Sequence, residues 1–138
     1  MTDLEKFYKS FQQELQARQF ASEEGDTQEQ TFTRCFIELL ADSGETENAT
    51  VAFDEKALGT RNQHKINGYA ISDNYETVDL FISIYTPEED ITAIQKVDVD
   101  RAITRITNFF KNFYSIRIFS FRFFSHFNFR KTIFLINC

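Results

Sequence analysis

Acidic residues vanish from the second part of this chain: all 21 lie at or before Asp100, and 115–138 holds four basic residues and no acid. Cysteine is scarce, with Cys35 and Cys138 alone. Two such distant thiols form neither a disulfide framework nor a zinc set, which points to a reducing cytoplasm. Histidine is equally sparse; His64 and His126 have no Cys or His neighbours at zinc-ligand spacing. Four glycines make no phosphate-cradling loop, so a nucleotide cofactor is not expected. Neither Ser72 nor Ser83 is flanked by glycines as a nucleophile elbow requires. No charge-free apolar run approaches the roughly 20 residues of a membrane span. The polar stretch Met1 to Arg18 does not read as a signal peptide. A net charge of −6 argues against non-specific binding to nucleic acid.

What is present reads as one domain of ordinary size followed by a different kind of segment. Thr2 and Glu5 form a capping box, and Leu4, Phe7, Phe11 and Leu15 recur at helical spacing, predicting a helix over 2–20. Ser22 to Thr27, with Gly25, is the connection. Thr27 and Gln30 repeat the box pattern. Behind it Phe32, Cys35, Phe36, Leu39 and Leu40 fit an amphipathic helix that Gly44 closes. Glu29 lies on this apolar stripe. It is either a first-turn acid favoured by the helix dipole or an acid aimed at a site on a sheet.

Three strands are expected next, over 49–53, 64–71 and 77–86, with a polar loop at 54–63, a turn at 72–76 and Pro87 as the stop. The run Phe81 to Tyr85 is apolar on both faces except at Ser83, the mark of a central strand covered from both sides. A last helix begins at Asp98 or Asp100, with Val99, Ile103, Ile106, Phe110 and Phe113 as its stripe. The fold class is therefore α/β (α+β): an open mixed sheet with an antiparallel meander, in the order α-α-β-β-β-α, with helices on both faces.

This order resembles the core of the PD-(D/E)XK restriction-endonuclease-like fold. The stretches EQTFTRCFIELLADSGE, INGYAISDNYETVDLFISIY and ITRITNFF resemble the N-terminal domain of the abortive infection phage resistance (AIPR) family, over roughly 1–114. The nuclease resemblance implies a helix glutamate, an acid on the second strand and an acid-x-Lys on the third, together holding Mg²⁺ or Mn²⁺. Glu29 takes the first place. Asn67, before GYA, takes the second, where an acid is implied. Asp79 starts the third, but Phe81 stands where the lysine belongs. Glu29 and Asp79 remain as metal ligands, and Lys65, on the same strand face as Asn67, is the replacement lysine. This departure implies a catalytically degenerate domain of a longer phage-defence protein, which meets nucleic acid through its full length. Two alternatives are a non-catalytic module that docks on the rest of its own chain or on a partner protein, and a weak Mg²⁺- or Mn²⁺-dependent nuclease.

The segment 115–138 carries seven of the 17 phenylalanines. Phe119, Phe121 and Phe123 alternate, as do Phe127 and Phe129, which predicts a strand or hairpin. Basic residues among aromatics also suit single-stranded nucleic acid or a membrane surface. Phe, Ile, Asn, Lys and Ser all have T- or A-rich codons, and a frame-shifted reading of such DNA gives this kind of string, so an out-of-frame terminus is the expected origin, with the domain proper ending near Tyr114.

Overall fold

The computed structural model describes residues 1–23, 25–86, 91–118 and 128–135, with side chains through residue 112. Its elements run α1 (Asp3–Ala21), α2 (Gln28–Asp42), β1 (Ala49–Lys56), β2 (His64–Ile71), β3 (Thr77–Ile84), α3 (Lys96–Ile118) and β4 (Asn128–Leu135). The strands form one sheet in the order β1-β2-β3-β4. The first three are antiparallel neighbours. β4 joins β3 in parallel, from Thr77↔Asn128 to Ile84↔Leu135. The expected mixed sheet and α-α-β-β-β-α order are present, and a fourth strand follows.

Local chemistry sets the helix starts. Both capping boxes form: Thr2 N–H donates to Glu5 Oε2 at 2.6 Å, and Thr27 N–H donates to Gln30 Oε1 at 2.8 Å. The backbone and side-chain bonds from Thr2 lower the Glu5 pKa. Gly44 takes φ +77° just past α2, a conformation that costs glycine little.

α2 is the middle of a stack, and that explains where its sequence pattern misleads. Phe32 and Cys35 face α1, packing with Tyr8, Phe11 and Leu15. Ile37 faces the sheet, against Ala70 and Phe81. The helix is therefore buried on two sides, and its core residues include Thr33 and Ile37, whereas Leu39 is exposed. On α1 the expected stripe holds at Phe11 and Leu15, but Leu4 and Phe7 are exposed and Tyr8 is buried in their place. On the other face of the sheet Ala102 and Ile106 of α3 cover Ile66, Leu80 and Ile82. Ile103, expected inside, is exposed. Phe113 lies outside the described side chains.

α3 starts at Lys96, just before the expected Asp98, and three elements end elsewhere than the pattern places them. β1 runs on to Lys56 through Asp54 and Glu55. As an edge strand it carries charge without leaving the ladder, and charge there discourages pairing with other chains. β3 stops at Ile84, before Tyr85 and Thr86. α3 crosses the compositional break at Tyr114 and ends at Ile118, because no glycine or proline interrupts the helix there. Of the aromatic alternation expected beyond, 119–127 lies outside the described residues, whereas Phe129 falls within β4.

The loop between β1 and β2 is fastened to α3. Arg105 Nε donates to Gln63 Oε1 at 3.0 Å, and Asn108 Nδ2 donates to the Gln63 carbonyl at 2.8 Å. His64 packs edge-on against Phe109 with centroids 5.8 Å apart, and its Nδ1 lies 3.1 Å from Asn112 Nδ2.

Cys35 is 3% exposed, and burial pushes its thiol pKa up. We therefore expect iodoacetamide to alkylate it at neutral pH only at the rate of local opening, and quickly once the chain is unfolded in urea. The sign of the linked stability follows from the raised folded pKa: the contribution is full below the unfolded thiol value of about 8.5 and is lost as pH rises past it.

Candidate functional site

The site is assembled where the first turn of α2 crosses the middle of β2. Residues on a regular strand alternate between faces, and β2 departs from this at its centre. Ile66 and Tyr69, three positions apart, both pack in the cluster under α3. Ala70 faces α2. A β-carbon on Gly68 would lie 3.0 Å from Ile37 Cδ1 of α2 and 2.8 Å from the Thr50 carbonyl oxygen. Opposite this point Val51 pairs with Gly68 and Asp54 with Ile66, so β1 carries one extra residue. Such a bulge bends β1 and increases the local twist of the pair. Gly68 is the residue that lets α2 approach. Gly68→Ala is expected to destabilise the domain by about 1–3 kcal/mol through overpacking, read from the urea midpoint at constant m.

Asn67, fully buried, sits beside that glycine. The β2–β3 register runs from Ile71↔Val78 to Gly68↔Phe81. Past it, the Asn67 side chain takes up the pairing: Ser83 N–H donates to Asn67 Oδ1 at 2.9 Å. That bond fixes which end of the amide is oxygen. The amide nitrogen then points to α2 and donates to Glu29 Oε1 at 2.8 Å. Lys65 Nζ makes an ion pair with the same Glu29 oxygen and lies 3.7 Å from Glu55 Oε2. Thr33 Oγ1 donates to the Glu29 carbonyl at 2.8 Å. Its one proton is thereby used, so the 2.8 Å contact between Thr33 and Ser83 is a bond donated by the serine hydroxyl.

Three of the four residues singled out in the sequence, Glu29, Lys65 and Asn67, thus meet in one cluster. Glu29 is the acid aimed at the sheet, and Lys65 shares the α2 side of β2 with Asn67. Asp79 is buried on β3, paired with Ala70 of β2 and Arg130 of β4. It stands four residues from Ser83, about 13 Å along the strand, so the structure does not bring it to this cluster. Thr33 and Ser83 are the members that sequence reasoning missed. Ser83 carried a signal, as the one polar position in an apolar run, whereas Thr33 resembles any helix threonine until its partner is known. Among the described residues no group of three or more His, Cys, Asp or Glu side chains could hold a metal ion. Nor, among them, is any helix long and apolar enough to cross a membrane.

In electrostatic terms the cluster is closed. The Glu29 carboxylate is matched by the Lys65 ammonium, with the more exposed Glu55 at the rim, and the side-chain hydrogen-bonding groups of Asn67, Thr33 and Ser83 are engaged with Glu29, with one another or with backbone. Such an arrangement orients α2 on the sheet. No nucleophile with an adjacent general base is present in it.

Comparison with known proteins supplies a family match. Residues 32–119 fit the family model described as the abortive infection phage resistance protein N-terminal domain, a stretch that takes in most of α2, the antiparallel strands and α3. No curated protein and no solved structure matches the chain. The family match covers well over half of the sequence, contains Lys65, Asn67 and Asp79, and begins three residues after Glu29. The chain therefore belongs to the family of abortive infection phage resistance protein N-terminal domains.

Proposed function

We propose that this chain is a nuclease-like but catalytically degenerate domain of a cytoplasmic phage-defence protein, and that it serves its parent protein as a scaffold. The observation that carries the reading is the engagement of Glu29. A divalent cation needs free oxygen lone pairs from several ligands at about 2.1 Å. The Glu29 oxygen that faces the sheet already accepts from Asn67 and pairs with Lys65. Asn67 offers Glu29 an N–H and no lone pair. The residues do not fit Mg²⁺ or Mn²⁺ shared between Glu29 and Asp79, and no hydrolytic step is derived through such an ion. The mixed sheet with helices on both faces is what the PD-(D/E)XK resemblance implies, and supports the nuclease-like half of the reading.

The test is a cleavage assay on single- and double-stranded DNA and on RNA, in Mg²⁺ and in Mn²⁺. No cleavage that depends on Glu29 or Asp79 is the expected result. Cleavage by the unaltered chain that Glu29→Gln or Asp79→Ala abolishes would overturn the reading and restore the metal-dependent nuclease.

A docking role is favoured by one further observation. Leu4 and Phe7, neighbours three positions apart on α1, are exposed at 63% and 52%. A surface of this kind suits attachment to the remainder of a longer protein or to a partner chain. Slower amide exchange along α1 in the longer protein than in this chain alone is the expected result; equal exchange would remove the idea.

A further inference from the structure

The cluster around Glu29 holds two side-chain ends at hydrogen-bond distance, a separation that two carboxylate oxygens could keep only with a cation between them. Glu29 Oε1 lies 2.8 Å from Asn67 Nδ2. Neighbouring oxygens around a small octahedral divalent cation lie about 3.0 Å apart, given bonds of about 2.1 Å. Asparagine and aspartate share one shape, so an aspartate at 67 would set a second carboxylate oxygen at close to that spacing. Its other oxygen would still accept from Ser83 N–H, the bond that orients the present amide at 2.9 Å. Two carboxylates this close require a compensating charge, because like charges in one site do not both ionise freely. The chain meets the requirement differently: position 67 is neutral, and Lys65 brings a single positive charge to the Glu29 oxygen.

We propose that the Lys65 ammonium performs the structural work of a divalent cation in this domain, tying α2 to β2, and that Asn67 is the neutral residue matched to its single charge. Asparagine with lysine and aspartate with a divalent cation are two ways of balancing the same site. Burial adds to the argument: Lys65 and Asn67 are 9% and 0% exposed, so the ammonium and the amide rely on protein partners. The inference deepens the degenerate reading and rests on it, naming the two side chains that close the site. It makes this chain's stability independent of divalent metal.

The probe is Mn²⁺, titrated against the wild type, Asn67→Asp, the double variant Lys65→Met/Asn67→Asp, and that double variant with Glu29→Gln added. Binding is read from loss of the electron paramagnetic resonance signal of the aqueous ion, and thermal midpoints are recorded with and without metal. The double variant is expected to bind Mn²⁺ at least about tenfold more tightly than the wild type, with a midpoint that rises on metal addition. Asn67→Asp alone falls between the two, and Glu29→Gln cancels the gain. Should the double variant be unfolded without metal, Mn²⁺ is expected to restore its native circular dichroism. No gain in affinity by the double variant overturns the inference, as does Glu29-dependent Mn²⁺ binding by the wild type. If the double variant is unfolded and Mn²⁺ does not restore it, no gain by Asn67→Asp alone overturns it too. Failure of the functional reading shows separately, as cleavage by the wild type, whatever the variants bind.

Discussion

Phe32→Ala is expected to lower the unfolding free energy by about 3–5 kcal/mol, the range for emptying a fully buried aromatic site. Phe32 has no exposed surface. Its ring meets Phe11 of α1 edge-on at 6.1 Å, Phe36 of its own helix at 6.1 Å, and Tyr85 beyond the end of β3 at 5.4 Å. One side chain therefore joins three parts of the fold. Against a typical stability of about 5–15 kcal/mol, such a loss leaves a marginal domain. The damage should be uneven, since α1 is held through its packing on α2. Amide exchange along α1 is expected to accelerate more than exchange in β2 and β3. Phe7 supplies the contrast: it stacks on Phe11 at 5.9 Å but is half exposed. Phe7→Ala should cost about 0.5 kcal/mol or less. Equal losses at 7 and 32, measured by urea unfolding, would contradict this account of the core.

Asn67→Leu is the second large effect. Leucine fills nearly the same volume and removes both hydrogen-bonding ends of the amide. Ser83 N–H then has lost its acceptor inside the sheet, and Glu29 has lost its neutral donor. Each buried polar group left without a partner costs about 1–3 kcal/mol. Glu29 is partly reached by water, which lowers its share. We expect a total loss of about 2–4 kcal/mol. A loss confined to the general cost of a core substitution, below about 1 kcal/mol, would mean that the cluster does not hold α2 in place. Exchange of the Ser83 amide is the local readout: it should quicken in Asn67→Leu and stay slow in Asn67→Asp, which keeps the acceptor.

These two residues also mark how far the sequence could be read. Phe32 is legible as core because a helix stripe is a local pattern, and both capping boxes are legible for the same reason: their partners are three residues apart. β2 keeps its predicted limits, His64 to Ile71, because apolar residues and a following turn bound it. Ile37 and Thr33 are not legible, since a helix buried between two layers has two inner faces and a single stripe describes one of them. The end of β1 is not legible either, because Asp54, Glu55 and Lys56 look like loop chemistry until their place at the sheet edge is known.

The site shows the same division. Family resemblance places attention on Glu29, Asn67, Asp79 and Lys65, and strand parity puts Lys65 beside Asn67. What each does depends on contacts between residues 38 and 16 positions apart, Glu29 with Asn67 and Asn67 with Ser83. No local pattern encodes those. A pattern that matches position by position still leaves open whether a carboxylate faces water, a metal or an ammonium. Here the partner decides the chemistry: the same Glu29 that the resemblance makes a ligand is the acceptor of a structural ion pair.

The most direct test of the central claim, that the Glu29 cluster is a structural tie, is a double-mutant cycle between Glu29→Gln and Lys65→Met, followed by urea unfolding with and without Mn²⁺. The account predicts a favourable coupling of about 1 kcal/mol, between the values typical of exposed and buried pairs, and no change on adding metal. A coupling near zero, or a wild-type stability that rises with Mn²⁺ only while Glu29 is present, would contradict it and return the site to metal chemistry.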